Sequence, residues 1–158
     1  QVSKAYFRQS FSVDDTATGA TLQLIGDTQA KIWLNGSQLG EVFARHSLSL
    51  AVEHQRVKVW DISKKLKKGK NSIAVETTNY DPFGSAGINV YTELSSPAKG
   101  FTKILSDSTW RVSELSATGW MNAEFSDAAW LSAKVFPYPS PIIRPNFSTN
   151  RTSWIERQ

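Results

Sequence analysis

Cysteine is absent from this 158-residue chain. Disulfide bonds and cysteine-ligated metal sites are therefore excluded. No apolar run approaches the roughly 20 residues of a membrane-spanning helix, so no membrane partner is expected. No secretory leader is visible, because the chain begins directly on an amphipathic stretch, and we expect a mature protein or an excised module. The length suits one domain that buries its own core.

Histidine is scarce, and the motifs of common enzymes are missing. His46 and His54 are eight residues apart, whereas a metal pair on a helix requires a spacing of three or four. The chain has no G-x-S-x-G nucleophile motif, phosphate-binding loop or dinucleotide fingerprint. Scattered carboxylates leave a paired glycosidase site open, although such sites usually use a deeper cleft than a small sandwich provides. The sequence favours a binding module over an enzyme.

Acidic residues are outnumbered, and the formal net charge is +4. Much of the excess lies in "KKLKKGK", residues 64–70. This run is explained either by a solvated turn or by attraction to a polyanion. No recognition helix, RNP-like motif or zinc pattern accompanies the charge, so we expect no nucleic acid partner.

Alternation of apolar and polar residues dominates the first 95 residues and predicts β-strands. The strands are short and separated by turn signals, and no helical stripe exceeds two turns. These features predict an all-β, antiparallel jelly-roll sandwich with a hairpin turn at "NG", residues 35–36. The side chains expected to point into the core are Phe7, Phe11, Leu22, Leu24, Ile32, Leu34, Val57, Val59, Ile73, Val75, Ile88 and Val90.

Two tryptophan-bearing segments, "SDSTW" (106–110) and "SDAAW" (126–130), resemble each other. In each, the aspartate should bond to backbone amides just ahead and fix a turn. The turn then directs the tryptophan at the body of the domain. Packing is the simplest role for Trp110, Trp120 and Trp130, because large aromatic side chains are usually mostly buried. An interface or a ligand platform is the alternative.

The end of the chain differs in composition from the rest. Residues 137–158 carry four of the six prolines. This composition predicts an extended surface tail or linker. We therefore expect the sandwich and its tryptophan-bearing segments to occupy residues 1–136.

The segment "VWDISKKLKKGKNSIAVET", residues 59–77, is the most specific pattern. Asp61 can cap the turn, Leu66 can be buried in it, and Gly69 can reverse the chain. Together with "AKIWLNGSQLGEV", residues 30–42, it resembles the galactose-binding-like jelly rolls. These domains occur as sugar-binding domains of family 2 glycoside hydrolases and as accessory domains of alpha-L-rhamnosidases.

The later segments "FTKILSDSTWRVS" (101–113), "TGW" (118–120) and "FSDAAWLSAK" (125–134) look like those that follow the same sandwich in rhamnosidase-type enzymes. The resemblance covers about residues 5–136. No catalytic barrel lies within these residues, so none of the family's catalytic residues has a place here.

The resemblance implies a non-catalytic carbohydrate-binding module of a secreted, extracellular bacterial enzyme. Its expected partners are a polysaccharide or oligosaccharide and a catalytic domain of the same polypeptide, and the module itself should be a monomer. The positive charge favours an acidic polysaccharide. The alternative is a structural accessory domain that packs against a catalytic domain through its tryptophan-rich half and binds no sugar.

The loop "TTNYDPFGSAG", residues 77–87, carries the first candidate site. Tyr80 or Phe83 can offer a flat platform to the apolar face of a sugar ring. Asn79 and Asp81 can bind hydroxyl groups, or they can ligate calcium through hard oxygen atoms. No cofactor is otherwise required. The alternative is that both rings fold back as hydrophobic plugs over the end of the sandwich.

Three further residues are candidates for ligand binding. Trp33 lies on the face opposite Ile32 and Leu34, where it is either exposed to a ligand or, as we expect, covered by the tryptophan-rich part of the chain. Arg45 and His46 lie in a connection that can reach the same end as the 79–87 loop. Arg45 would suit the carboxylate of an acidic sugar.

Overall fold

The computed structural model describes residues 3–14, 17–26, 28–43, 57–80, 86–136 and 154–156. The described residues contain no helix that is long and apolar enough to cross a membrane. A short 3₁₀ turn spans Ser63–Lys65. The strands of the described residues are β1 (Ser3–Val13), β2 (Gly19–Gly26), β3 (Gln29–Leu34), β4 (Ser37–Phe43), β5 (Lys58–Asp61), β6 (Gly69–Asn79), β7 (Gly87–Ser96), β8 (Gly100–Leu105), β9 (Arg111–Ser113), β10 (Leu131–Ser132), β11 (Lys134–Phe136) and β12 (Trp154–Glu156).

The strands form two sheets. The first has the order β10-β9-β1-β6-β3-β4, and the second has the order β11-β12-β7-β2-β5, with β8 also paired to β7. Every pair of neighbouring strands is antiparallel. The predicted antiparallel sandwich is confirmed.

The core lies between the sheets, where one face of each strand is apolar. Ten of the twelve predicted core residues lie there: Phe11 is partly buried, and the other nine are buried, namely Phe7, Leu22, Leu24, Ile32, Leu34, Ile73, Val75, Ile88 and Val90. Sheet faces alternate along each strand, so the period-two pattern located these residues correctly.

The predicted burial of Val57 and Val59 is wrong, since both are exposed and Val59 is 55% exposed. In the β2–β5 pairing, Leu22 lies opposite Trp60, and Gln23 lies opposite Val59. Paired residues share a face of the sheet, so Trp60 packs against the core while Val59 faces outward. Both faces of this short strand carry apolar residues, so alternation does not show which face is buried. An error of one position in the register exchanges the inner and outer faces.

The "NG" turn forms as predicted. Asn35 and Gly36 have φ angles of 51° and 84°, which a two-residue hairpin loop requires at both positions. The side chain of Asn35 ties the hairpin to β6, because its Oδ1 accepts from Ser72 N at 2.9 Å and its Nδ2 donates to Asn71 Oδ1 at 2.8 Å. Gly36 also lies close to Asn122, two residues after Trp120, since an added Cβ would lie 2.3 Å from Asn122 Oδ1.

The side chain of Asn71 holds the lysine-bearing turn that precedes β6. Asn71 is fully buried. Its Oδ1 accepts from Lys67 N at 2.9 Å, and its Nδ2 donates to the carbonyls of Lys67 and Gly69 at 2.7 and 2.9 Å. At the start of the turn, Asp61 Oδ1 accepts from Ser63 N at 2.9 Å, so the expected bonding of Asp61 to the turn is confirmed.

Residues 154–156, which the composition assigns to a tail, lie inside the sandwich. They form β12, which pairs with both β11 and β7, and Ile155 is fully buried in the core. A strand of three residues is too short to show alternation, so the pattern did not reveal it. Residues 137–153 lie outside the described residues, and their assignment as a linker stays a prediction.

We predict that Asn71→Ala destabilises the fold without changing its charge. The substitution removes three part-buried hydrogen bonds to the backbone of Lys67 and Gly69, which should lower the free energy of unfolding by about 2–3 kcal/mol. Urea unfolding followed by tryptophan fluorescence measures this loss. The neighbouring exposed Lys70→Ala is the control, and a loss as small as that of the control would contradict the assigned role.

Candidate functional site

One end of the sandwich collects the connections that carry the predicted site residues. At this end β3 begins at Gln29, which pairs with Phe43 at the end of β4 and with Thr78 near the end of β6. The connections that follow Phe43 and Asn79 therefore leave from the same end, as the sequence predicts. We call it the Tyr80 end, after its exposed tyrosine.

Four of the predicted site residues lie outside the described residues. These are Arg45 and His46, in the connection after β4, and Asp81 and Phe83, in the connection after β6. Their roles stay predictions.

Tyr80 presents its ring at the surface. The residue is 54% exposed, so this ring does not fold back as a plug over the core. Its hydroxyl donates to Gln29 Oε1 at 3.1 Å, and its backbone amide donates to Thr28 Oγ1 at 3.4 Å. Both ends of the residue are thus held while the ring stays open to solvent.

Asn79 lies beneath this tyrosine and does not face solvent. It is 1% exposed, and its Oδ1 accepts from Thr28 Oγ1 at 3.3 Å. Thr28 has a φ of 54°, a conformation that a β-branched residue rarely adopts. Strained residues of this kind concentrate at functional sites. In this arrangement Asn79 positions Thr28, and Thr28 in turn holds the backbone of Tyr80.

Sequence reasoning missed Gln29, which accepts from the Tyr80 hydroxyl, and two residues on the same outer face as Gln29. Gln29 Nε2 donates to Glu41 Oε2 at 3.3 Å. Phe43, paired with Gln29 and 56% exposed, lies on the same outer face of the first sheet. Tyr80, Gln29, Glu41 and Phe43 thus form what we call the Tyr80 strip. The alternation in "GEVF" offered a signal, because it places Val42 inward and therefore Phe43 outward.

Lys4 and Glu76 form an ion pair beside the Tyr80 strip. Lys4 Nζ lies 3.0 Å from Glu76 Oε1. The hydrogen bond to Glu76 raises the pKa of Lys4 above its ordinary value. The charge of Lys4 is therefore matched by a carboxylate on the next strand.

Trp33 is covered, as expected. It is 9% exposed, and the ring of Trp120 meets it edge-on with a centroid separation of 5.3 Å. Trp120 also meets Tyr6 at 5.2 Å and stacks on Trp130 at 6.1 Å. The ring of Trp33 is thus a packing surface for Trp120 and is not open to a sugar ring.

Packing is also confirmed for Trp110 and Trp120, which are both buried. Trp110 donates its Nε1 proton to the carbonyl of Leu105 at 2.9 Å. In this first segment the expected turn is present, since Asp107 Oδ1 accepts from Thr109 N at 2.8 Å.

The second segment is held differently, by the buried Arg8 of β1. Asp127 Oδ2 accepts from Arg8 Nε at 3.1 Å, which corrects the expectation that Asp127 bonds to the amides ahead of it. The Arg8 guanidinium donates to the carbonyls of Trp120, Asn122 and Phe125, and it lies 5.1 Å from the centroid of the Phe125 ring. A fully buried cation thereby anchors the segment that covers Trp33.

The described residues contain a small cavity at the end opposite Tyr80. It has a volume of about 100 Å³, and Val13, Leu94 and Ala98 contribute apolar walls. Pockets that enclose small ligands usually measure about 300–1,000 Å³. This cavity is therefore a poor candidate for a sugar site.

Comparison with solved structures identifies the architecture. An alpha-L-rhamnosidase of Streptomyces avermitilis, solved with L-rhamnose, matches 84% of this chain with 28% identity and a TM-score of 0.70. The lectin of Pleurotus ostreatus in complex with GalNAc matches 92% of it with 19% identity and a TM-score of 0.71. The fold is a galactose-binding-like jelly roll. An alpha-L-rhamnosidase of Aspergillus terreus matches 82% of the chain, with 21% identity and a TM-score of 0.65.

This jelly roll corresponds to a small part of each neighbour. The matched region is 12% of the Streptomyces chain, 19% of the Aspergillus chain and 39% of the lectin chain. The resemblance to an accessory domain of rhamnosidases is confirmed. No protein-family model and no curated protein sequence match the chain.

We predict that Arg8→Met destabilises the domain by about 3–5 kcal/mol, because it leaves three carbonyls and the partly buried carboxylate of Asp127 without their charged donor. Urea unfolding measures the loss, and the fluorescence of Trp120 should shift as its environment opens. Arg111→Met, on the neighbouring strand, is the matched control because Arg111 is exposed. Equal effects of the two substitutions would contradict the anchoring role.

Proposed function

We propose that this chain is a non-catalytic carbohydrate-binding module of a secreted polysaccharide-degrading enzyme, with Tyr80 as its stacking platform. The observation that carries the proposal is an exposed aromatic ring held in place from two sides by Gln29 and Thr28. A sugar ring has an apolar face of C–H groups and a rim of hydroxyl groups. A fixed aromatic surface beside an amide and a carboxylate matches both features.

The comparisons support this proposal at the level of the fold. One neighbour is a lectin in complex with GalNAc, and two are alpha-L-rhamnosidases. Sandwich ends and outer faces are where such a fold leaves side chains open to a ligand. The Tyr80 strip combines an end with an outer face.

The proposed ligand is an acidic polysaccharide. The net charge of +4 favours a polyanion over a neutral chain. Arg45, in a connection that leaves from the Tyr80 end, would pair with a sugar carboxylate.

The alternative function is an accessory domain that packs on a catalytic domain without binding sugar. Trp110 and Trp120 are buried within the domain, so they do not form the interface that this alternative predicts. Leu115 and Leu131 are exposed and lie near the edge formed by β9 and β10. They are the apolar side chains that such an interface would use.

We also propose that Asn79 and Asp81 bind calcium. Of these two residues, only Asn79 lies in the described part of the chain. The amide oxygen of Asn79 is buried and accepts from Thr28. In the described part of the chain, no group of three or more His, Asp or Glu side chains is placed to hold a metal ion. A complete site needs about six oxygen ligands, so residues outside the described part of the chain would have to supply most of them.

We predict that Tyr80→Ala abolishes binding of short oligosaccharides, which reach only the Tyr80 end, while the fold stays intact. A shallow site should bind with a Kd of about 0.1 mM, and loss of the stacking ring should cost roughly 1–3 kcal/mol. A glycan array identifies the ligand, and titration calorimetry then measures the loss. The melting temperature should change little, because Tyr80 lies beyond the end of β6.

Tyr80→Phe is the matched control for this experiment. It keeps the ring and removes only the bond to Gln29, so it should retain most of the affinity. Wild-type affinity in both Tyr80→Ala and Asp81→Ala would refute the site and direct attention to Arg45 and His46. A lowered melting temperature with binding intact would indicate a plug instead of a platform.

Calcium removal gives a separate prediction. If Asn79 and Asp81 ligate calcium, a chelator should lower the melting temperature and weaken glycan binding, and added calcium should restore both. Differential scanning fluorimetry with and without the chelator measures the first effect. Identical melting and binding in the two conditions would eliminate the metal.

A further inference from the structure

Five lysines project from one turn at the end of the sandwich opposite Tyr80. The lysine turn comprises residues 62–70, and its five lysines are all exposed: Lys64, Lys65, Lys67, Lys68 and Lys70. Strand β6 begins in this turn at Gly69 and ends at Asn79. At about 3.4 Å per residue, its length separates the two ends by about 30–35 Å.

The backbone of the lysine turn is held in one conformation. Ile62 anchors its start in the core, and Lys65 N donates to the carbonyl of Ile62 at 2.9 Å. Asn71 binds the backbone of Lys67 and Gly69 from below. A solvated run of charge needs no such support, whereas a binding surface profits from it, because less entropy is lost when the ligand binds.

The lysines of the lysine turn outnumber the carboxylates near them, which are Asp14 beside Lys68 and Asp61 beside Lys64 in the described part of the chain. Among the described residues, none of its five lysines forms a salt bridge, whereas Lys4 at the Tyr80 end pairs with Glu76. Asp14 is paired with Lys99, and Asp61 accepts from Ser63. Hydrogen bonding to Lys99 lowers the pKa of Asp14, and Lys68 lowers it further.

We infer that the lysine turn is a second binding surface, which takes the carboxylate or sulfate groups of an acidic polysaccharide. This inference rests on the proposed carbohydrate-binding function and adds a contact that the Tyr80 strip does not make. Lysine ammonium groups bind anions as point charges and require no single geometry. A row of them therefore suits a polymer with repeating anionic groups.

The test compares binding of the whole chain to polygalacturonate and to dextran sulfate at two salt concentrations, using affinity electrophoresis and titration calorimetry. The test variant carries Lys64→Gln, Lys65→Gln, Lys67→Gln and Lys68→Gln. The control variant carries Lys31→Gln, Lys103→Gln, Arg111→Gln and Lys134→Gln, which lower the net charge equally at other places. Melting temperatures verify that both variants fold.

The test variant should bind the polyanions at least about tenfold more weakly than wild type, and the control less than about twofold more weakly. Added salt should weaken wild-type binding and should have less effect on the test variant. Tyr80→Ala should keep this salt-dependent binding, which separates failure at the strip from failure at the lysine turn.

Three results would overturn the inference. The first is absence of wild-type binding to both polyanions, and the second is an equal loss in the control variant, which would leave net charge as the only cause. The third is binding of a short DNA duplex as tight as that of polygalacturonate and equally dependent on the four lysines, which would assign the surface to polyanions in general.

Discussion

The packing of residues 114–130 on the outer face of the first sheet depends on hydrogen bonds from the buried guanidinium of Arg8. Residues 114–130 contain no strand, so many of their carbonyls have no partner in a sheet. Arg8 donates hydrogen bonds to three of these carbonyls and to one carboxylate, and it lies on β1, a central strand of the first sheet. Burying an unpaired cation is costly. The segment and the arginine are therefore stable only together, and Trp120 covers Trp33 as a result.

The packing of residues 114–130 on the first sheet divides its outer face into a covered part and an open part. Next to Arg8, the rings of Tyr6, Trp33 and Trp120 pack against each other and exclude water. Toward the end of β6 the described residues provide no such cover, and Tyr80 and Phe43 are exposed. Because the aromatic cluster is occupied by the protein's own side chains, the proposed ligand would meet the rings at the Tyr80 end. The position of the proposed site thus follows from what the tryptophan-bearing segment covers.

The sequence was sufficient for the sandwich because each long strand has one apolar face, and alternation reports that face directly. It failed at Val59, where a strand of four residues carries apolar side chains on both faces, and at Ile155, where the strand has three residues. The Tyr80 strip was only partly foreseeable. Tyr80 stood out in its loop, but Gln29 meets it only through the pairing of β3 with β6. Arg8 and Asp127 are 119 residues apart, and no local pattern links them.

The two proposed surfaces rely on different forces at opposite ends of the sandwich. Contact of a sugar with an aromatic ring depends on apolar area and is little affected by salt. Attraction of a polyanion by exposed lysines acts over a distance and weakens as ions screen it. A polymer long enough to span the roughly 30–35 Å between the ends can engage both, and the second contact is then intramolecular. With both proposed surfaces in place, a weak site at Tyr80 would suffice for firm attachment to a long acidic chain, while short neutral sugars, which reach only one end, would be released quickly.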